Sequence, residues 1–373
     1  MNDPRISALA KILVNYSVAA QPGDLVALRA RPFSAEAIPL FDELVREVLA
    51  AGAHPHLVFT PNSFDGIDHT FYANASDDQL NYVDPLAQHW VSRFQCDICV
   101  DCATNTRRLS TIDSGRISMH AAAQSDLAKL WWQRTGRNEL RRVWTLYPTA
   151  GYAQDAQMSL SEFEDFVFAS TYADSLDPFS QWKDVNTKQE TLVRSLANHR
   201  QVKVTGPHVN LSFSIEGRTF ANYDGKHNMP DGEVFTAPLE DTVEGWIQST
   251  VSAIYAGVDV GKVRLTFKDG LVVEAQAEKN DAHLHTMLAT DQGASRLGEF
   301  GIGTNEAIRH PVGHMLFDEK IAGTIHVALG SGYPETGSKN ESAIHWDFLC
   351  DMSEGGEIVV DDQLIYENGR FTI

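Results

Sequence analysis

The segment SAIHWDFLC, near the C-terminal end, constrains the fold more than any other stretch of the chain. Its apolar and aromatic content favours a β-strand, and in a strand the side chains at i and i+2 share a face. His345 and Asp347 therefore project side by side, an imidazole next to a carboxylate and close enough to bind one ion, while Trp346 and Phe348 turn the other way into packing. A second short apolar segment, GTIHVALG, is bounded by glycines, and its central His326 suits a buried neighbouring strand.

Two acidic residues stand upstream in similar settings, Glu233 in NMPDGEVFTAP and Glu299 in RLGEFGIGTN, with Glu319 in LFDEK a further candidate. A single histidine on an apolar strand is ordinarily a core residue, and single loop acids are ordinarily solvated. The combination is what points to a metal site. Two histidines with several carboxylates suit Zn, Co, Mn or Fe better than Ca, which prefers oxygen alone. Three or more carboxylates also exceed what one catalytic zinc needs. The surplus suggests two ions sharing bridging carboxylates, an arrangement that activates water and polarises a carbonyl together.

Around this centre the chain of 373 residues is long enough for two domains. The first half alternates helix and strand. Asp3 and Pro4 provide an N-cap and a first-turn proline, followed by Ile6, Leu9, Leu13 and Tyr16 at helical spacing. DLVALRA then reads as a strand. Ser34 opens a second helix with Ile38, Phe41, Val45 and Val48 on one face, and HPHLVFT follows as a strand. The pattern repeats through the QCDICVD strand, a helix over MHAAAQSDLAKLWWQRTG and the RRVWTLY strand, as in a parallel sheet covered by helices. No glycine-rich phosphate loop follows these strands, which disfavours nucleotide binding. Near His199 the texture changes: QVKVTGPHVNLSFSIEG and KVRLTFKDGLVVEAQAE read as antiparallel hairpins, the second turning at Asp269-Gly270. The expected architecture is an α/β N-terminal domain with a mainly parallel sheet over 1–198. An α+β C-terminal domain over 199–373, with largely antiparallel strands, carries the metal site.

Cys96, Cys99 and Cys102 have a spacing that superficially suggests an iron–sulfur cluster. The intervening Ile98 and Val100, with no Gly or Pro to wrap a cluster, read instead as a buried strand. A net charge of −20, from 30 basic and 50 acidic residues, argues against nucleic acid as a partner. No apolar run approaches the ~20 residues of a membrane span, and MNDPRISALAKI lacks the basic start and apolar stretch of a signal peptide. No membrane association and a cytoplasmic location are the expectations.

The segments NMPDGEVFTAPLEDTVEG, LGEFGIGTNEAI, LFDEKIAGTIHVALGSGYPETG and SAIHWDFLCD, in this order, resemble the M29 metallopeptidases, the aminopeptidase T family. Weaker likenesses in LVNYSVAAQPGD and YPTAGYAQDAQMSLSEFEDFVF extend the resemblance over nearly the whole chain. It implies two divalent ions, Zn, Co, Mn or Mg, held by residues matching Glu233, Glu299, His326, His345 and Asp347. Glu319 matches a further family ligand, but its spacing departs from the family pattern, where that glutamate lies closer to the first histidine. Tyr333, in GSGYPETG, matches a tyrosine implicated in family catalysis. The implied activity is release of N-terminal amino acids from peptides with broad preference, by a homodimer. In that chemistry Tyr333 would donate a hydrogen bond to the oxyanion, and Glu233 and Glu299 are both eligible to carry the proton to the leaving amine.

Two other readings stay open on the residues. His326, His345 and Asp347 alone make the two-histidine, one-carboxylate face of a mononuclear non-haem iron oxygenase, and ring-cleaving dioxygenases resemble this peptidase family. A non-catalytic peptide-binding relative would be expected to have lost a ligand. The presence of Glu233 and Glu299 in their full motifs favours the hydrolase.

Overall fold

A computed structural model describes residues 3–255 and 258–372. The chain divides into two compact units, residues 1–181 with 225–230 and residues 182–224 with 231–373. Among the described residues no helix is long and apolar enough to cross a membrane.

The first unit is built on a parallel sheet. Its strands run in the order His54–Leu57, Leu25–Ala30, Cys96–Asp101 and Arg141–Leu146, and the two-residue strand Asn228–Met229 pairs in parallel with the last of them. The alternating pattern produces this because a parallel crossover needs a connecting segment of a dozen or more residues, which helices supply. Asp3 caps the first helix, its side chain accepting from the backbone N–H of Arg5. The Cys96–Asp101 strand is buried along its whole length, and the four cysteines carry free thiols.

Local details differ from the sequence reading in two places. Ser34 leads into a short 3-10 turn, and the α-helix begins only at Ile38. That helix buries Leu40, Phe41, Leu44 and Val48, leaving Ile38 53% exposed, because the stripe centred on Leu44 is the one turned inward. The stretch read as one helix over MHAAAQSDLAKLWWQRTG is two, Ser114–Ala123 and Ser125–Gly136, parted where Gln124 leaves helical geometry.

The second unit is a sandwich of two antiparallel sheets. One has eight strands, from Leu271–Ala277 at one edge to Arg370–Phe371 at the other. Both hairpins foreseen in the sequence lie in it, and Asp269 and Gly270 turn with positive φ (50° and 75°) as a tight hairpin requires. The other sheet has five strands, in the order His345–Asp351, Thr324–Gly330, Leu297–Gly303, Glu233–Thr236 and Ala221–Tyr223.

The core lies between the two sheets. Val234, Phe300, Ile302, Ile325, Val327, Leu329, Trp346 and Phe348 point into it from the five-stranded sheet, against Val204, Leu211, Phe213, Leu265 and Phe267. Each such side chain gains about 1.5–3 kcal/mol from burial. A one-residue slip of any strand would turn its whole apolar set outward. The same alternation therefore commits Glu299, His326, His345 and Asp347 to the opposite face.

Candidate metal centre

The register of the five-stranded sheet brings the polar residues together. Glu299 and Asp347 both pair with Ala328, so two carboxylates flank one small side chain. His326 pairs with Gly301, Glu233 with Gly303, and His345 with Gly330. Each large polar side chain thus has a glycine or alanine as cross-strand neighbour, which leaves room for it to lean over the sheet. The allowance at Gly301 is absolute: a Cβ there would lie 2.1 Å from His326 Nε2.

Two groups of potential ligand atoms result, Glu233 with Glu299 and His326, and Glu299 with His345 and Asp347. Glu299 belongs to both. One of its oxygens lies 3.1 Å from His326 Nε2 and the other 3.4 Å from His345 Nε2. Glu233 Oε2 is also 3.1 Å from His326 Nε2, and His345 Nε2 is 3.7 Å from Asp347 Oδ1. His345 Nδ1 donates to the Ser331 carbonyl at 2.7 Å. A carbonyl only accepts, so this bond fixes the tautomer and leaves Nε2 as the coordinating atom.

The chemistry of the donor set fits a divalent cation. Among the described residues Asp347 Oδ1 is buried with no hydrogen-bond donor, and Glu233 Oε2 has only His326 Nε2, which it shares with Glu299, a costly condition for carboxylate oxygens that a cation relieves. Mixed imidazole and carboxylate donors suit Zn, Co or Mn.

Of the residues singled out in the sequence, Glu233, Glu299, His326, His345 and Asp347 converge. Glu319 lies outside both groups, its carboxylate on the ammonium of Lys320. Tyr333 stands at the rim of the centre, its ring 5.3 Å from that of His345 and 5.2 Å from that of Phe235. Lys320 was not foreseen: a lysine next to an acid at the end of a short helix has the local signature of a surface ion pair, yet its side chain is fully buried. Gly301 was also missed. Its signal, a glycine two residues after an acidic strand residue, acquires meaning only once His326 is known to pair with it.

Burial would push Glu233 upward, but the Lys320 ammonium and His326 outweigh it and hold the carboxyl at about 2. Burial raises Glu299. It also lifts Glu319 to about 8, despite the pull of Lys320. Burial would lower His326, yet its bonds to Glu233 and Glu299 raise it well above the usual value, and Asp347 and Glu299 likewise raise His345.

The sign of these shifts sets a pH dependence. A raised imidazole contributes stability fully below its unfolded value of about 6.5, and loses it as pH rises through the folded value. In apoprotein at neutral pH His326 therefore holds a proton that a metal must displace. Loading apoprotein at pH 7 is expected to release protons, and apparent affinity to weaken by about tenfold for each unit the pH falls and each proton displaced. Calorimetric titration in buffers of different ionisation enthalpy measures this, and a buffer-independent heat would contradict it.

Comparison with known proteins agrees along the whole length. The profile of the thermophilic metalloprotease family M29 matches residues 2–371. Aminopeptidase 2 of Geobacillus stearothermophilus is 27% identical over 395 aligned residues, spanning 94% of this chain and 93% of that protein. Aminopeptidase T of Thermus thermophilus is 30% identical over 264 residues, 61% of this chain and 63% of that protein. Aminopeptidase PepS of Streptococcus thermophilus is 26% identical and spans 92% of this chain and 91% of that protein. Among solved structures, wild-type AmpT from Thermus thermophilus shares the fold, with a TM-score of 0.83 over 99% of each chain at 20% identity.

Proposed function

This chain belongs to the M29 metallopeptidase family and is a metal-dependent aminopeptidase, and from that premise we propose that it cleaves the N-terminal bond of peptides at a centre of two divalent ions. The observation that carries the number two is Glu299, shared between two three-residue groups that otherwise have no member in common. Glu233, Glu299 and His326 would hold one ion; Glu299, His345 and Asp347 would hold the other. Bound there, such ions supply an acidified water near neutral pH and an electrophile for the scissile carbonyl.

The chain's own groups have definable tasks. Ser331 aims the His345 ring through its carbonyl. Tyr333, beside His345 at the rim, donates its phenol O–H to the oxyanion that develops as the amide is attacked, at no charge in the ground state. Glu233 or Glu299 takes the proton of the attacking water and returns it to the leaving amine. Peptides with a free N-terminus are the substrates, zinc, cobalt, manganese or magnesium the candidate ions, and a cytoplasmic homodimer the working form. The homodimer follows the family likeness, and the cytoplasmic location the expectation from the sequence.

A dioxygenase with one iron uses His326, His345 and Asp347 alone, and leaves the buried Glu233 and Glu299 without a task. Metal removal separates the readings. About two ions per chain, with hydrolysis of Leu-p-nitroanilide lost on chelation and restored by zinc, cobalt, manganese or magnesium, is the expected result. One iron per chain and no amide hydrolysis would overturn the proposal.

A further inference from the structure

The side chain of Lys320 is fully buried beside the metal centre, and acids surround it. Its ammonium lies 2.5 Å from Glu233 Oε1 and 3.8 Å from Asp231 Oδ1, and it also donates to Glu319 Oε1. Backbone bonds fix its place. The Lys320 N–H donates to the Phe317 carbonyl, and its carbonyl accepts from Asn305 N–H at 2.9 Å. The Asn305 amide in turn donates to the Asp231 carbonyl at 2.8 Å, tying the loops that carry Asp231 and Lys320 to one another. Asp318, next in the chain to Glu319, accepts from the N–H groups of Val312 and Gly313 and anchors the short helix Met315–Asp318 from which Glu319 and Lys320 follow.

The two oxygens of Glu233 are consequently divided. Oε1 is engaged by Lys320, while Oε2 is turned to His326 Nε2 at 3.1 Å, inside the group of potential ligand atoms. A carboxylate held by one oxygen presents the other in a single orientation, which a freely rotating one does not. Glu319 is handled differently. Its partner is the same ammonium, and it contributes to neither group of potential ligand atoms.

We propose that Lys320 is a permanent, protein-supplied cation of this centre: a positioning residue that orients Glu233 for metal and withdraws Glu319 from the ligand set. The proposal rests on the dinuclear reading. Five carboxylates, Asp231, Glu233, Glu299, Glu319 and Asp347, share this part of the molecule with one ammonium. That ammonium offsets negative charge in the cluster whether or not ions are bound. A buried ammonium also keeps the cluster from being wholly dependent on metal, since unpaired charges in a buried site are strongly destabilising.

The test compares wild type, Lys320→Met, Glu319→Gln and the double variant, each chelated and then loaded with manganese or zinc. Metal content is read by elemental analysis and unfolding by scanning calorimetry. Glu319→Gln is expected to bind as many ions per chain as wild type. Lys320→Met is expected to lower the melting temperature of the chelated protein by about 10 °C and, with Glu233 no longer held, to need about tenfold more manganese for half-loading. The double variant, which removes an acid together with the cation, should recover part of that loss, and this comparison serves even where Lys320→Met alone fails to fold.

One ion fewer in Glu319→Gln than in wild type would make Glu319 a ligand and overturn the proposal. Manganese affinity unchanged in Lys320→Met, or no recovery in the double variant, would reduce Lys320 to a packing residue and overturn it as well. These are comparisons with wild type. A wild-type content other than two ions would overturn the dinuclear reading separately, while the Glu319→Gln comparison would still decide the lysine.

Discussion

Glu299→Gln is expected to lower kcat/KM by about a thousandfold or more, equivalent to ~4 kcal/mol of transition-state stabilisation, while the fold survives. Glu299 is the residue common to both potential ligand groups, with one oxygen toward His326 and the other toward His345. An amide offers one oxygen and carries no charge, so it cannot face both ligand groups as a carboxylate does. The substitution keeps the shape of a side chain that is 4% exposed, and it removes a charge that burial disfavours. The chelated variant should therefore still fold, while the increase in melting temperature on metal addition shrinks. Metal content should fall below two per chain. Full activity with undiminished metal content would show that the centre lies elsewhere.

Gly301→Ala tests the same site from a residue that is not a ligand. The added methyl would lie 2.1 Å from Nε2 and 2.2 Å from Cε1 of His326, so either the ring or the strand must move. The strand is pinned on both sides, by Thr324–Gly330 and by Glu233–Thr236, with Phe300 and Ile302 packed beneath it. The imidazole is the part that yields. Overpacking of this kind costs about 1–3 kcal/mol of stability, and a misplaced ligand should weaken metal binding and turnover by about 100-fold or more. The two losses separate in measurement: calorimetry of the chelated protein reads the packing cost, and titration with manganese reads the ligand displacement. Unaltered metal affinity in a folded Gly301→Ala protein would mean that His326 does not hold the ion through Nε2.

The elements that were legible in the sequence are those whose signal is local. Asp269-Gly270 marks a hairpin because few residues other than glycine and Asn or Asp adopt positive φ readily. The period-2 pattern of SAIHWDFLC fixed which side chains face inward, and Trp346 and Phe348 lie in the core as that pattern requires. The second helix was legible in existence but not in orientation. Two overlapping apolar stripes run along Ile38–Ala50, and only packing chose the one containing Leu40 and Leu44. The break at Gln124 left no mark in composition, since neither glycine nor proline stands near it.

The centre divides in the same manner. Residue type and strand period determined that His345 and Asp347 share a face and that His326 sits in a buried strand, whereas Glu233 and Glu299 read as Gly-flanked acids of connecting segments and only the structure places them in strands. The first two are properties of single segments. Sequence could not decide which residues meet across strands, because cross-strand register depends on the combined burial of all five strands and not on any one of them. That register placed Glu299 and Asp347 on either side of Ala328 and His326 over Gly301. The partner of Glu319 was likewise decided by the tertiary fold. Glu319 and Lys320 look like a solvated pair in the chain, and they enclose a buried charge only because Asp231 and Glu233 are folded against them.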